Sequence, residues 1–366
     1  MKITLRTKRN SGIAIFIVLI SVFALAAMAF VFAYNMKVET KLAMNSNNET
    51  EMEWMGRSGF ELARYVLGLE LSTPGAGQRY DALNQKWAGG EGDTNDVLTG
   101  ISLTDVPLGH GKFSVKITDT ERKMNINSVN STPNSDAMMT QALILIGTDA
   151  SEIPTIIGSI HDWIDRDDET SVNGAESEYY GALTVPYAPK NGPIDDLSEL
   201  LLVKGVTPDI YWGPNSSNHP PSMFQQRAPS TRSSGLLPNT PTVSAGLVDI
   251  FTPISNGQLN INTCSANALR VLGMDESTAE HIIALRQGAD GQDGTADDVP
   301  FNNPGEIINA GIPNQIAQQF IPYLTVRSST FEVQVDVEVG LSKRRYYALL
   351  RRNSPRDIEI LSMRWD

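Results

Sequence analysis

The longest hydrophobic stretch of the chain covers residues 13–33, IAIFIVLISVFALAAMAFVFA, and contains no charged residue. As a helix with a rise of about 1.5 Å per residue it spans about 30 Å, the thickness of the hydrocarbon core of a bilayer. No Gly or Pro occurs from Ile13 until Gly56, so the pattern predicts one helix that continues far beyond the membrane. After a polar stretch at 45–51, a second apolar face at 54–67 is suited to packing on a sheet.

Alternating apolar and polar residues predict strands in two places that lie far apart in the sequence. Phe113, Val115 and Ile117 form the first alternation, directly after Lys112. The longest alternation lies at 331–339, and 344–352, with Tyr347 and Leu349, predicts the next strand of an antiparallel meander. A last strand is predicted around Ile358, Ile360 and Trp365, whereas residues 72–111 are predicted to be mostly loops.

Between these strand regions, about 190 residues have the three-to-four spacing of apolar positions that is typical of helices. Asp195, Thr263 and Asp275 are candidate N-caps. A segment rich in Pro and Ser, 213–246, predicts a loop or linker inside this region. Helices are predicted at 136–146, 153–165, 197–203, 266–272, 277–287 and 314–324.

A helical region that lies between strands of one sheet predicts an inserted domain. The predicted fold is therefore α+β: a long N-terminal helix packed on a small antiparallel sheet, with a large inserted all-α domain of the helix-hairpin-helix or SAM-like kind. The predicted boundaries are a leader at 1–12, a transmembrane part of the helix at 13–33, its periplasmic part at 34–70, an α/β domain at 71–127, the inserted domain at 128–325 and the C-terminal strands at 326–366.

Three kinds of N-terminal segment fit the basic leader that precedes residue 13. Positive residues tend to remain cytoplasmic, which sends the chain after residue 33 to the far side of the membrane. A secretory signal would be cut behind Ala33, a plain anchor would stay uncut, and a prepilin would be cut after Gly12. The continuous helical pattern past Ala33 favours the prepilin. The leader cations are Lys2, Arg6, Lys8 and Arg9.

Composition adds a strong acidic balance and a single cysteine. The 366-residue chain has a formal net charge of −13, and removal of residues 1–12 would leave 25 Lys and Arg against 42 Asp and Glu, or −17. Such a surface disfavours nucleic acid and anionic lipid, and it suits divalent cations or basic partners. Cys264 excludes an internal disulfide and is predicted to be a small buried apolar residue.

The leader, Gly12 and the apolar helix from Ile13 resemble type IV pilins and the pseudopilins of type II secretion. That family normally has a Glu at the fifth mature position, where this chain has Ile17. The absence of this Glu is the rule in the K-type minor pseudopilin of the type IV pilin-like superfamily. The resemblance extends through the motifs Met124-Asn125-Ile126-Asn127, 162–165, 174–176, 197–205, Leu259-Asn260-Ile261-Asn262-Thr263 with the helices that follow it, and the closing strands.

The resemblance implies a structural role in type II secretion rather than an enzymatic one. It implies cleavage between Gly12 and Ile13 by a prepilin peptidase, N-methylation of the new terminus and a place in the inner membrane with the bulk of the chain in the periplasm. It also implies partners of the I and J types, other pseudopilins, and a position at the tip of the pseudopilus that primes assembly. No nucleic acid is expected as a partner.

Seven carboxylates within seventeen residues lie at the end of the helix predicted at 153–165 and directly after it. So many acids repel one another unless solvent or a cation intervenes, and Ca²⁺, with six to eight oxygen ligands, tolerates irregular loops. Asn173 and Gly174 allow a tight return of the chain. A solvated acidic helix end is the alternative to a calcium cluster. The candidate ligands are Asp162, Asp165, Asp167, Asp168, Glu169, Glu176 and Glu178.

A second candidate calcium loop, DGQDGTADD, begins at Asp290. Its carboxylates at Asp290, Asp293, Asp297 and Asp298 could converge, because Gly beside Asp lets the backbone wrap tightly. The loop departs from the EF-hand in lacking the D-x-D-x-D opening and the closing Glu. A surface turn without metal is therefore a comparably good prediction.

Residues 272–283 resemble a helix-hairpin-helix, a module that grips DNA phosphates in other proteins. A membrane-anchored helix-hairpin-helix protein for DNA binding or uptake is thus the alternative function. Asp275 stands where such hairpins use a second Gly, and the acidic chain disfavours phosphate. No motif of an enzyme active site was found in the sequence, so a membrane-tethered hydrolase is a more distant alternative.

Overall fold

A computed structural model describes residues 11–72, 75–90, 98, 100–128, 134–214, 245–308 and 311–365. The helices are α1 (Ser11–Ser72), α2 (Ala76–Arg79), α3 (Ser135–Ile146), α4 (Ile153–Ile164), α5 (Ser177–Gly181), α6 (Pro208–Trp212), α7 (Leu247–Ile250), α8 (Ala266–Val271), α9 (Glu276–Arg286) and α10 (Asn314–Phe320). The strands are β1 (Val106–Leu108), β2 (Gly111–Asp119), β3 (Met124–Asn125), β4 (Phe251–Thr252), β5 (Leu259–Asn260), β6 (Leu324–Thr325), β7 (Thr330–Val339), β8 (Ser342–Ser354) and β9 (Asp357–Trp365).

The first helix, α1, is a single helix of 62 residues. Its side chains from residue 13 to residue 46 are all exposed, and the first fully buried one is Met52. The helix is apolar and long enough near its N-terminus to cross a membrane. The predicted continuity of this helix is therefore confirmed, and the N-terminal half lies clear of the rest of the protein.

Five strands form one antiparallel sheet in the order β1-β2-β7-β8-β9. Its helix-facing side meets α1 at close range, because glycines on α1 let the two backbones approach. A Cβ on Gly59 would lie 2.5 Å from Val335 Cγ1, and one on Gly56 would lie 2.8 Å from the Tyr346 ring. The predicted plan of a long helix on a small antiparallel sheet is confirmed.

The alternation predicted at 331–339 is confirmed, since the odd-numbered residues from Phe331 to Val339 are buried. The strand predicted at 344–352 is confirmed, since it lies within β8. Tyr346, Ala348 and Leu350 are the buried residues, since they pair across the sheet with the buried side of β7. On β9 only Ile358 is buried, while Ile360 and Trp365 are exposed at the edge of the sheet.

The region predicted as loops between α1 and β2 contains α2, a 3₁₀ turn at Lys86–Ala88 and β1. The loop prediction was therefore incomplete. Trp87 is fully buried in this region, and its ring meets Phe331 edge-on with centroids 5.2 Å apart. The segment covers one side of the core between α1 and the sheet. Its Gly and Asp content predicted loops and gave no sign of this packing.

The predicted inserted domain lies between β2 and β7, which are neighbours in the sheet, and it has its own hydrophobic core running from Ile126 to Val326. Most predicted helices occur, but several ends differ. The 197–203 helix is a 3₁₀ helix, Leu197–Leu202, capped by Asp196 rather than Asp195, because Asp195 pairs with Lys190. Helix α8 is capped by Ser265 rather than Thr263, whereas the Asp275 cap of α9 is confirmed.

The helix predicted at 314–324 was too long. Pro322 interrupts it, and the chain passes through a 3₁₀ turn at Ile321–Tyr323 into β6.

The inserted domain contains the same local arrangement twice. Two Asn-Ile-Asn sequences, at 125–127 and 260–262, are called the N-x-N motifs. The first Asn of each lies in a two-residue strand with a parallel partner, β3 with β4 and β5 with β6. The first Asn of each motif accepts from the backbone N–H of the second, at 2.9 Å in Asn125 and 3.0 Å in Asn260. The amide of the second Asn then bonds both the N–H and the C=O of one distant residue, which is Ile194 for Asn127 and Phe301 for Asn262.

The inserted domain therefore has two units, the first with Asn125 and Asn127 and the second with Asn260 and Asn262. The Pro-rich segment separates them, and its residues 215–244 lie outside the described residues. Its flanks touch each other. Gly213 has a left-handed φ of +61°, and a Cβ on it would lie 2.5 Å from the Ala245 carbonyl carbon. A Cβ on Gly246 would likewise lie 2.3 Å from the Tyr211 carbonyl oxygen. The chain therefore leaves the domain and returns to it at a single point.

Candidate metal centre

The candidate metal centre is organised around the C-terminal end of α4. Asp162 in its last turn is fully buried, and both of its carboxylate oxygens accept from the backbone N–H of Ser171, at 3.0 and 3.2 Å. The loop returns over the carboxylate at Gly174, where a Cβ would lie 2.0 Å from Asp162 Oδ2. Asn173 before it has a left-handed φ of +66°. Only glycine fits at 174 without displacing the carboxylate.

Three carboxylates converge here, since ligand atoms of Asp162, Asp165 and Glu176 all lie within 4.8 Å of one another. Both oxygens of Glu176 and Oδ1 of Asp165 are buried without a hydrogen-bond partner. Glu176 is 2% exposed. A buried carboxylate oxygen without a donor costs free energy, so this arrangement fits a cation that accepts oxygen ligands.

The electrostatics of the cluster point the same way. Burial, followed by the charges of Asp162 and Asp165, raises the pKa of Glu176 to about 7. Burial also raises the pKa of Asp165, with further contributions from Asp167 and Asp162. Like charges that share a buried site resist simultaneous ionisation unless a cation joins them.

The other predicted ligands lie around the cluster rather than in it. Asp168 accepts from the Ser177 N–H at 3.3 Å, and the Ser177 hydroxyl, followed by this N–H, lowers the pKa of Asp168. Asp167 accepts from the Glu169 N–H at 3.0 Å. Glu169 and Glu178 are exposed. Of the seven predicted carboxylates, the structure brings three together.

Asn191 is a residue of this site that the sequence did not predict. Its Nδ2 donates to the Asp167 carbonyl at 2.6 Å, and its buried Oδ1 has no hydrogen-bond partner. Its φ is +48°, and the next residue, Gly192, donates its N–H to the Trp163 carbonyl. Because it lies 29 positions after Asp162, no local pattern could place it beside the acidic loop.

The second predicted calcium loop has a different arrangement. Arg286 forms two hydrogen bonds with Asp293, Nε to Oδ1 and Nη2 to Oδ2, each at 3.0 Å. Asp297 Oδ2 accepts from the N–H groups of Ala289 and Asp290, and Asp298 Oδ2 accepts from that of Gly294. Backbone donors and an internal guanidinium therefore already face these carboxylates. Among the described residues, three metal-ligating side chains converge only at Asp162, Asp165 and Glu176.

The two acidic loops occupy equivalent places in the two units. The first loop lies after α4 and before Ile194, and the second lies after α9 and before Phe301. The loop of the second unit contains an internal cation, Arg286, which is 5% exposed. No Lys, Arg or His contacts Glu176 among the interactions of the described residues. This difference favours the first loop as the candidate cation site.

The helix-hairpin-helix resemblance corresponds to α8 and α9, joined by Gly273 with φ +102°. At the N-terminus of α9, where a phosphate would bind, Asp275 accepts from the Thr278 N–H at 2.9 Å and from the Ser277 and Thr278 hydroxyls at 2.6 Å. These bonds lower its pKa. A negatively charged carboxylate at this position opposes an anionic ligand such as a phosphate group.

The processing residues lie at the start of α1. Residues 1–10 of the leader are outside the described residues, and the helical backbone is continuous from Ser11 through Gly12 and Ile13. Ile13 is 62% and Ile17 58% exposed on the free half of the helix. Both side chains are thus available to lipid or to another helix.

Comparison with known proteins gives consistent matches. The family described as "Type II secretion system (T2SS), protein K" matches residues 122–212, which is the first unit of the inserted domain. Type II secretion system protein K of Pectobacterium carotovorum subsp. carotovorum is 30% identical over 115 residues, which cover 29% of this chain and 35% of that protein. The protein K of Aeromonas hydrophila is 24% identical over 219 residues, 56% of this chain and 61% of that protein.

The first of these relatives is thus aligned over only about a third of its length. A solved chain from the GspK-GspI-GspJ complex of the enterotoxigenic Escherichia coli type 2 secretion system has the same fold, with a TM-score of 0.63 and 18% identity. That match covers 88% of this chain and 99% of the other. The relatives are named as secretion-system components rather than as enzymes. The chain is therefore similar to type II secretion system protein K in the first unit of its inserted domain, and it shares its overall fold with a solved chain of the GspK-GspI-GspJ complex.

Proposed function

We propose that this protein is a structural component at the tip of a type II secretion pseudopilus, where it helps to initiate assembly and protein secretion. The observation that carries the proposal is the pilin-like helix and sheet with a protein K domain inserted between β2 and β7. α1 holds it in the inner membrane as a single-pass anchor, with the bulk of the chain in the periplasm. The leader charges and the free apolar half of α1 support this orientation.

Maturation is part of the proposal. A prepilin peptidase cleaves between Gly12 and Ile13, and the new terminus is methylated. Mass spectrometry of the protein from membranes tests this directly. A mature start at Tyr34, or an intact Met1, would contradict a pseudopilin function.

The proposed partners are minor pseudopilins of the I and J types. The relative with the same fold was solved in the GspK-GspI-GspJ complex, which supports this choice. Ile17 carries no charge that needs a partner in hydrocarbon, so this subunit requires no neighbour beyond it. The bulky inserted domain would also obstruct regular stacking along a shaft. Both features favour one terminal position.

Co-purification of the full-length proteins from detergent-solubilised membranes tests the partnership. The expected result is a complex with one copy of this chain, which Ile17→Glu weakens because it places an unmatched charge in the bilayer. Ile20→Ala, an apolar change on the same exposed part of α1, is the matched control. Copies of the wild-type chain along the length of filaments would contradict the terminal position.

The second part of the proposal is a calcium ion in the inserted domain. Asp162, Asp165 and Glu176 would hold it, and Asn191 offers a further oxygen. The ion would neutralise buried carboxylates in the folded state only. Binding at a hundredfold excess over Kd would then add about 2.7 kcal/mol of stability. Isothermal titration of the full chain with Ca²⁺, after treatment with a chelator, tests the site.

A further inference from the structure

An open groove lies on the surface of the inserted domain, between α3 and α4. One wall is formed by every fourth residue of α3, from Asp136 to Ile144, and the opposite wall by every fourth residue of α4, from Ile153 to His161. The groove has a volume of about 640 Å³. Ligand sites in proteins typically measure about 300–1,000 Å³, so this groove is large enough to receive several side chains of another molecule.

The loop after α4 completes the groove, because Ser171, Val172 and Asn173 also line it. This loop is held in place on both sides. The Ser171 N–H donates to the buried carboxylate of Asp162, and a Cβ on Gly158 of α4 would lie 2.7 Å from the Val172 carbonyl oxygen. The groove is therefore preformed by packing and backbone hydrogen bonds.

The groove exposes apolar side chains that the inserted domain does not cover. Val172 is 86% exposed and Ile144 37% exposed, and Ile157 is half-buried between them and the core. Single apolar residues scattered over a surface are common, but a group of them in one concavity is typical of an interaction site. These three side chains therefore offer an apolar surface to a partner.

Carboxylates surround this apolar surface. Residues 134–175, which form the groove, contain eight Asp or Glu and only Arg166 as Lys or Arg. Asp136 lies at the start of α3, where its Oδ1 is 2.8 Å from His161 Nε2, so it marks one end of the groove. The connection between α3 and α4 lies at the other end. The exposed acids of these segments are Asp136, Asp149, Glu152, Asp167, Asp168 and Glu169.

This combination of shape and charge indicates the chemistry of the occupant. An apolar groove between two helices is suited to an amphipathic helix, whose apolar residues at three-to-four spacing enter the groove. The surrounding carboxylates favour Lys or Arg beside those apolar residues and oppose an acidic partner. A second copy of this chain is disfavoured in the same way, because the chain has a formal net charge of −13.

We propose that the groove between α3 and α4 is a docking site for a partner protein, which inserts an amphipathic helix with Lys or Arg on both flanks of its apolar side. The apolar residues of that helix displace water from Ile144, Ile157 and Val172, and its cations face the exposed carboxylates. The site lies on the inserted domain, so it leaves α1 free for the contacts proposed above.

The test uses a synthetic peptide, LKKLLKLLKKLLKL, immobilised on a surface over which the full-length protein in detergent is passed. Detergent micelles alone give the blank. Two further peptides replace every Leu by Ser or every Lys by Glu. Ile144→Lys places a cation in the groove, and Ala137→Lys, at an exposed position of α3 outside the groove, is the matched control. Val172→Lys is a second groove variant at an exposed position, and circular dichroism checks that each variant is folded.

The wild-type protein and Ala137→Lys should bind the Leu/Lys peptide equally. Ile144→Lys and Val172→Lys should bind it about tenfold more weakly or worse, because each variant loses an apolar contact and gains a like charge. The Ser/Lys and Leu/Glu peptides should bind the wild type more weakly by a similar factor.

Three results would overturn the proposal. The first is equal binding of the Leu/Lys peptide to all the variants, and the second is binding of the Ser/Lys or Leu/Glu peptide as tight as that of the Leu/Lys peptide. The third is self-association of the wild type in sedimentation analysis that Ile144→Lys abolishes, which would assign the groove to a second copy of the chain.

Discussion

At the scale of single residues, the inserted domain contains carboxylates with very different surroundings. Asp275 and Asp297 are exposed and surrounded by donors, so their pKa values are lowered. Glu176 is buried without a donor, and its pKa is raised to about 7. The first two stabilise turns by themselves, whereas Glu176 needs a proton or a cation.

Glu176→Gln should change how stability depends on pH in the chelator-treated protein. Because the folded pKa of Glu176 is raised, its contribution to stability is full below the unfolded pKa and is lost as pH rises through about 7. The wild-type protein without metal should therefore melt at a lower temperature at pH 8 than at pH 5.5, and Glu176→Gln should reduce that difference. Calorimetry checks this. The exposed Glu178→Gln is the matched control and should leave the difference unchanged.

Gly174→Ala should weaken cation binding at the Asp162 cluster. The new methyl group would lie 2.0 Å from Asp162 Oδ2 and must displace the carboxylate or the loop. We expect at least a tenfold loss of Ca²⁺ affinity, equivalent to about 1.4 kcal/mol, in a calorimetric titration. Gly181→Ala has open space around its Cβ and should bind like the wild type. Equal affinity of all three proteins would contradict the proposed ligand geometry.

At the scale of elements, the contact between α1 and the sheet depends on glycine. Gly normally weakens a helix, by about 1 kcal/mol relative to Ala. Here Gly56 and Gly59 lie against Tyr346 and Val335, so their lack of a side chain allows the close approach. The local cost is offset by the burial of Met55, Phe60 and Ala63 around them.

Gly59→Ala should therefore destabilise the protein although Ala is the better helix former. A Cβ placed 2.5 Å from Val335 Cγ1 forces a backbone shift that costs about 1–3 kcal/mol. Denaturant unfolding of the full chain in detergent measures the difference. Ser58→Ala, at a half-buried position of the same turn, is the control and should cost little. An increase in stability for Gly59→Ala would show that the helix does not press on β7.

At the scale of the whole molecule, the fold contains two insertions, one within the other: the inserted domain within the sheet and the Pro-rich segment within that domain. The inserted domain begins and ends at adjacent strands, β2 and β7. The Pro-rich segment likewise begins and ends at a single point, because Gly213 and Gly246 lie against each other's neighbours. Insertions whose ends meet cost only loop-closure entropy, which grows slowly with length.

Replacement of residues 215–244 by a short Gly-Ser linker should therefore leave the fold intact. We expect the melting temperature to change by only about 2–4 °C, since the two flanks of the segment already meet at Gly213 and Gly246. The matched control replaces residues 168–176 in the same way, which removes Glu176 and should abolish Ca²⁺ binding. Circular dichroism melts of both variants, with and without Ca²⁺, decide the point. Unfolding of the first variant would contradict the prediction.

Local periodicity was sufficient for most elements of this protein. The apolar stretch at 13–33, the alternation at 331–339, and the spacing of apolar residues in α3, α4 and α9 each predict an element from neighbouring residues alone. These signals are short-range, because burial of one face repeats with the period of the helix or strand. The acidic loop after α4 was found in the same way, from the density of carboxylates.

Only the tertiary structure decided which carboxylates meet. Asp162, Asp165 and Glu176 converge because the loop closes at Gly174, and Asn191, from another segment, donates to the Asp167 carbonyl of the same loop. In the second loop Arg286 forms an ion pair with Asp293. Two loops of similar composition therefore differ in whether a cation of the protein itself neutralises their carboxylates. The sequence also did not predict which residues of β8 are buried, or that Asn260 donates to Asp119. Both depend on contacts between residues far apart in the chain. Composition determines how much charge must be accommodated, and folding determines which charges lack a partner.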